Sequence, residues 1–120
     1  MKIVNPTAKL GEDLASEYIK NHGYKILERN FRKGYGEIDI IAIEGQILCF
    51  IEVKTRTSNQ FGSPLEAINY WKLKTLTKTA QYYKMLHKNT PESLRIDAIS
   101  VELSQNGDHK IEITKNISGF

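Results

Sequence analysis

Asp39, Glu52 and Lys54 are residues whose types and spacing can carry chemistry in this sequence. They stand inside two apolar runs, Ile38-Asp39-Ile40-Ile41 and Phe50-Ile51-Glu52-Val53-Lys54, where an unpaired charge costs free energy. Residues two apart in a strand share a face, so Glu52 and Lys54 emerge together, and Glu37 and Asp39 do the same from the preceding run. If the runs pair across the short Glu44-Gly45 turn, the Asp39 end of one lies beside the Glu52 to Lys54 end of the other. The charges then converge on one edge of a sheet. Two carboxylates on a rigid sheet suit a hard divalent cation such as Mg²⁺, or Mn²⁺, bound through oxygen with several waters retained. Such an ion polarises a phosphoryl oxygen and acidifies a coordinated water, while a nearby lysine orients that water or stabilises charge developing on phosphate. Glu-x-Lys alone is common as a solvated cross-strand ion pair. The apolar flanks are what favour a site, because charges set into paired strands are more often functional than decorative.

The elements that must position these residues follow from the pattern. Asn5-Pro6 reads as a helix start, with Asn as N-cap and Pro in the first turn, and Ala8, Leu14, Ala15, Tyr18 and Ile19 recur at helical spacing. Gly23 ends that helix in a left-handed position. Tyr24 to Phe31 is a first strand, weakened by Glu28 and Arg29. Ile38 to Ile43 and Ile47 to Val53 are β-branched strands that should form an antiparallel hairpin. Ser63-Pro64-Leu65-Glu66 is a capping box opening a helical region to about His87, with a break near Trp71 and a buried stripe of Leu65, Ile68, Leu76, Ala80 and Tyr83. Leu94 to Leu103 is a further strand, and the Asn106-Gly107 turn leads into a last one around Lys110 to Ile113. This order predicts an α/β fold, a mixed central sheet flanked by helices.

The 120 residues are expected to form one domain, 1–120, with a single core. At 40% hydrophobic and 26% charged the composition is that of an ordinary globular protein, with no low-complexity tract. The net charge of +3 mildly favours polyanions and decides little alone. The single cysteine, Cys49, excludes an intramolecular disulfide and reads as a small core residue. MKIVNPTAKLGEDL gains acidic residues before any apolar run, so no secretory signal is expected, and no run is long enough to span a bilayer. The expected location is the cytoplasm, with no membrane partner.

At the acidic residues the sequence resembles the PD-(D/E)xK phosphodiesterase superfamily, with its restriction-endonuclease-like αβββαβ core. Asp39 stands for the first acid, in Glu-Ile-Asp rather than Pro-Asp, and Glu52-Val53-Lys54 for the (D/E)xK. More narrowly, Gly11-Glu12, Asn30-Phe31-Arg32, Gly36-Glu37-Ile38-Asp39, Phe50-Ile51-Glu52-Val53-Lys54-Thr55-Arg56 and Phe61-Gly62-Ser63-Pro64 resemble the YraN-like family of bacterial endonuclease-like proteins. The chain is also similar to archaeal Holliday-junction resolvases, small dimers with the same helix-first layout.

The resemblance implies a metal-dependent nuclease acting on DNA, with branched or damaged DNA among its substrates. Asp39 and Glu52 would bind Mg²⁺ or Mn²⁺, Lys54 would position the attacking water, and a homodimer is implied by the resolvases. Glu12 would add an acidic residue near the metals, or it is simply a first-turn glutamate favoured by the helix dipole. Glu37 either assists or sits on the rim. Lys72, Arg56, Arg32 and Lys33 are candidate phosphate contacts, together with Arg29, Lys74 and Lys78; each also reads as a solvated surface charge. Trp71, Tyr70, Tyr82 and Tyr83 would stack on bases, but aromatics at helical spacing more often belong to a core. Asp97 in Arg95-Ile96-Asp97 is read as structural, paired with Arg95 or a helix lysine. Two other functions remain open: a nucleic-acid-binding module without useful turnover, and a subunit active only with a protein partner.

Overall fold

The chain enters its first helix through Asn5, whose side-chain Oδ1 accepts the backbone N–H groups of Thr7 at 2.9 Å and Ala8 at 3.3 Å. Two donors left orphaned by the helix start are thereby satisfied, and Pro6 gives up no bond there. In a computed structural model, residues 5–34, 36–57 and 68–118 are described. Their elements are α1 (Pro6–Lys20), β1 (Tyr24–Lys33), β2 (Gly36–Glu44), β3 (Ile47–Thr57), α2 (Tyr70–Leu86), β4 (Ser93–Leu103) and β5 (His109–Thr114). The expected order, αβββαβ and a last strand, holds. The capping box at 63–66 and residue 65 of the buried stripe lie outside the described residues. Helix α2 is capped by Asn69, whose Oδ1 accepts the Lys72 N–H at 2.9 Å.

The sheet has the strand order β1-β2-β3-β4-β5. Its pairs are antiparallel except β3 with β4, which run parallel. A parallel pair needs a long crossover, and the segment containing α2 supplies it. Gly45, at φ 60°, makes the tight β2–β3 turn that a side chain would strain.

Apolar side chains are buried on both faces. Ala15 and Ile19 of α1 pack with Ile40, Ala42, Cys49, Ile51, Val53, Ile99 and Val101. On the other face Leu76, Ala80 and Tyr83 of α2 pack with Ile38, Ile41, Leu48, Phe50 and Ile96. Strand β3 is thus covered twice, and for that reason it reads as an almost unbroken apolar run. Cys49 is the core residue expected, its thiol pushed up to about 12 by burial and then by the Asp97 charge.

Both helices sit close to the sheet where glycine allows it. A Cβ on Gly11 would overlap the Thr55 side chain, and one on Gly36 would overlap Thr79. The expected stripe of α1 is corrected at its start: Gly11 is buried and Ala8 exposed, because the first turn extends to the rim of a surface cavity. Tyr70 and Trp71 also depart from expectation, being 67% and 70% exposed, whereas Tyr83 is core and Tyr82 half-buried. Among the described residues no helix is long and apolar enough to cross a membrane.

Candidate functional site

Strands β2 and β3 pair only part of the way. Their ladder runs from Glu44 opposite Ile47 to Ile40 opposite Ile51. Beyond that, β2 continues pairing with β1 as far as Gly36, and β3 with β4 as far as Thr57. The sheet forks between Asp39 and Glu52.

Alternation also breaks there. Ile40 and Ala42 face α1, yet Ile38 joins Ile41 on the α2 face, where strict period two would place it with Ile40. The neighbouring strand is irregular at the same height. Its register shifts between Ile26 and Glu28, and Asn30, between the pairs Arg29–Ile40 and Phe31–Ile38, has φ 56°. Asparagine is one of the few non-glycine residues that tolerate such backbone. These irregularities are why β1 looked weak in the sequence. Asp39 is left to reach across the fork, where its Oδ2 accepts the Val53 N–H at 2.8 Å. A side-chain oxygen thus replaces the ladder acceptor that β3 has lost.

Glu52 lies on the opposite lip, only 4% exposed. Its Oε1 is 3.5 Å from Lys54 Nζ and 3.6 Å from Lys72 Nζ of α2. Its Oε2 is buried and has no hydrogen-bond partner among the described residues. Glu12, Glu37, Asp39, Glu52, Lys54 and Lys72 all line one cavity of about 300 Å³, which the first turn of α1 closes on one side. Asp39 is raised to about 7, chiefly by burial and then by the Glu52 charge; the Val53 N–H works against this, while Glu12 and Glu37 add to it. The four residues expected to act together, Asp39, Glu52, Lys54 and Glu12, are brought to one place.

The expected phosphate contacts divide. Lys72 is at the cavity. Arg32 is exposed and not among the cavity residues, though it stands 3.2 Å from Glu37, which is. Glu12 has Arg29 at 3.7 Å, and Arg29 also meets Asp13 at 2.9 Å. Lys33 is not among the cavity residues; its Nζ stands 5.4 Å from the centre of the Tyr82 ring. Arg56 is turned inward, with Glu102 at 3.8 Å and with Nε and one terminal nitrogen buried without a hydrogen bond. The sequence reading missed the Val53 N–H and the α1 first turn as parts of the site. Only the Gly11–Thr55 contact, which seats α1 against β3, would have revealed the latter, and a contact is not written in periodicity.

Among the described residues no group of three His, Cys, Asp or Glu side chains is placed to hold a metal ion alone. The fork offers Asp39 and Glu52, one with its proton affinity raised by burial and then by the neighbouring acids, the other with a buried oxygen that has no donor among the described residues. That donor set fits a cation taking one or two carboxylates and keeping its waters, the habit of Mg²⁺, better than one needing a full protein cage.

Residues 11–101 match the model of the family described as Uncharacterised protein family UPF0102. The chain is 49% identical over 110 residues to a UPF0102 protein of Clostridium botulinum, covering 88% of each chain. It is 48% identical over 109 residues to one of Thermodesulfovibrio yellowstonii, covering 90% of this chain and 91% of that one. With one from Alkaliphilus oremlandii the identity is 47% over 96 residues, covering 78% of this chain and 82% of the other. The chain belongs to the UPF0102 family, in agreement with the YraN-like resemblance of its motifs.

Proposed function

We propose that this UPF0102 chain is a metal-dependent nuclease of the PD-(D/E)xK superfamily, hydrolysing phosphodiester bonds in DNA, with branched or damaged DNA among its substrates. The observation that carries the reading is the fork: a buried Glu52 oxygen with no donor among the described residues shares one cavity with Asp39 across parted strands, with two lysines beside Glu52. Asp39 and Glu52 would hold Mg²⁺ or Mn²⁺, with Glu12 contributing from α1. A divalent ion so bound supplies polarisation of a phosphoryl oxygen and acidification of a water. Lys54 orients the attacking water and meets negative charge developing on the phosphate. Lys72 neutralises Glu52 from α2 and attracts the phosphate backbone to the cavity. The Val53 N–H holds Asp39 in place.

The test is cleavage of labelled duplex, single-stranded, flapped and four-way-junction DNA, and of matching RNA, in Mg²⁺ and in Mn²⁺. Asp39→Ala, Glu52→Gln and Lys54→Ala should each lower the rate by roughly a hundredfold or more while each still folds, as judged by a cooperative melting transition. Wild-type cleavage by Asp39→Ala would sink the assignment.

A second reading draws on the two lysines already beside Glu52, which let the cavity receive a phosphate without turnover. A nucleic-acid-binding module would show salt-dependent binding and no metal-dependent cutting. If cell extract restores cutting, the chain is the subunit of a larger nuclease.

A further inference from the structure

Helix α2 carries Lys72, Lys74, Lys78 and Lys84 and no acidic residue. Its first turn presents Tyr70 and Trp71, 67% and 70% exposed. The two rings meet edge to face at 5.2 Å, and Lys74 Nζ stands 5.7 Å from the Trp71 ring centre. From Tyr70 a groove of about 370 Å³ follows α2 past Leu73, Lys74 and Lys78. The residue after Trp71 is Lys72, whose ammonium is 3.6 Å from Glu52. Tyr70 and Trp71 thus share the first turn of α2 with Lys72, which lines the acidic cavity, while the rings themselves stand outside its lining. Two large apolar rings held in water beside lysines suit a flat partner with a negatively charged backbone. An apolar protein surface would have to bury those ammonium groups without partners.

We propose that Tyr70 and Trp71 form a stacking platform for unpaired bases flanking the phosphate in the cavity, with Lys74 and Lys78 holding phosphates of the same strand. Nucleic acid with a single-stranded segment is then the preferred class. The substrate part of this inference rests on the nuclease reading of the fork. In a blunt duplex the base faces are already stacked on one another, so the platform gains nothing there; an unpaired base offers its face regardless of sequence.

Trp71 is the only tryptophan in the chain, so its emission reports the platform directly. The full chain, in EDTA to prevent cutting, is titrated with an oligothymidylate, a flapped duplex and a long blunt duplex of two separate fully paired strands, following Trp emission and the anisotropy of labelled DNA. Oligothymidylate and the flap should quench Trp71, and the blunt duplex should not. Trp71→Ala should bind oligothymidylate about tenfold more weakly (about 1.4 kcal/mol) and the blunt duplex unchanged, while Trp71→Phe retains most of the affinity. Oligothymidylate binding with unaltered Trp emission would overturn the platform. So would equal quenching by the duplex, or emission that follows protein concentration together with dimer formation by sedimentation, which would assign the face to a second copy. Selective quenching without metal-dependent cutting keeps the platform and removes the nuclease. Asp39-dependent cutting without quenching does the reverse.

Discussion

Two buried acidic regions flank the β2–β3 hairpin, and their surroundings treat the charge in opposite ways. Asp97 of β4, in register with Ile51, is fully buried. Its Oδ1 accepts from Arg95 Nε at 2.7 Å and the Asn116 N–H at 2.8 Å, and its Oδ2 from Arg95 Nη2 at 2.9 Å and Tyr24 Oη at 3.1 Å. Arg95 reaches Glu44 at 2.6 Å, and Glu44 accepts from Lys115 at 2.7 Å. Burial pushes Glu44 up, but the hydrogen bonds from Lys115 and Arg95 hold it below its ordinary value. Two acids meet two cations with their oxygens paired. At the fork, among the described residues, Asp39 receives the Val53 N–H, Glu52 has a buried oxygen with no donor, and burial, then the Glu52 charge, raises the Asp39 proton affinity. A buried charge with every lone pair satisfied locks strands together; one left short of donors marks where something else must bind.

Neutralising each aspartate in turn tests this contrast, and Asp97 should show the larger effect. Asp97→Asn removes the charge that Arg95 was buried against, and breaking such a pair costs about 3–5 kcal/mol, measured by urea unfolding. Asp39→Asn should go the other way. Its native pKa of about 7 lies well above the 3.8 of an ordinary aspartate, so the native state holds the proton more tightly. That contribution is complete below the unfolded value and is lost as pH rises to about 7. Without metal at pH 8, Asp39→Asn should therefore be the more stable protein by about 1–2 kcal/mol, or roughly 3–8 °C in Tm, and the advantage should fade by pH 4. Adding Mg²⁺ at pH 8 should raise the wild-type Tm and leave Asp39→Asn unmoved. Two Asn variants equally destabilised would erase the distinction between the two regions.

Much of this was legible in the sequence, because strong local signals and long-range packing agree. Asn5-Pro6, the β-branched runs and Asn106-Gly107 each state an element by themselves. The pairing of Arg95 with Asp97 was legible as well, since residues two apart in a strand share a face. Asp39 and Glu52 stood out because charge interrupted apolar runs. The fork itself was hidden: it depends on Asn30 adopting a left-handed backbone on one strand while β2 and β3 part on the other side. Period-two reasoning put Asp39 on a face, whereas its carboxylate takes the place of a ladder acceptor. Tyr70 and Trp71 were misread as core because helical spacing does not say whether a sheet lies beneath a helix's first turn.

The smallest expected effect separates two lysines that each meet a buried or half-buried glutamate. Lys115 closes a satisfied cluster at its exposed edge, 49% exposed itself, so Lys115→Met should cost well under about 1 kcal/mol and leave metal and nucleic-acid binding alone. Lys72 meets Glu52 beside an oxygen that has no donor. Removing its charge makes the cavity more negative, so Lys72→Met should bind Mg²⁺ a few-fold more tightly, roughly the effect of one partly screened charge, and bind DNA more weakly. Magnesium-induced Tm shifts and DNA anisotropy on both variants measure the two directions at once. Opposite changes in metal and DNA affinity in Lys72→Met, with neither in Lys115→Met, are the signature of an acidic site awaiting a cation beside a cation awaiting a phosphate. Matching behaviour of the two lysines would make the fork another structural ion pair.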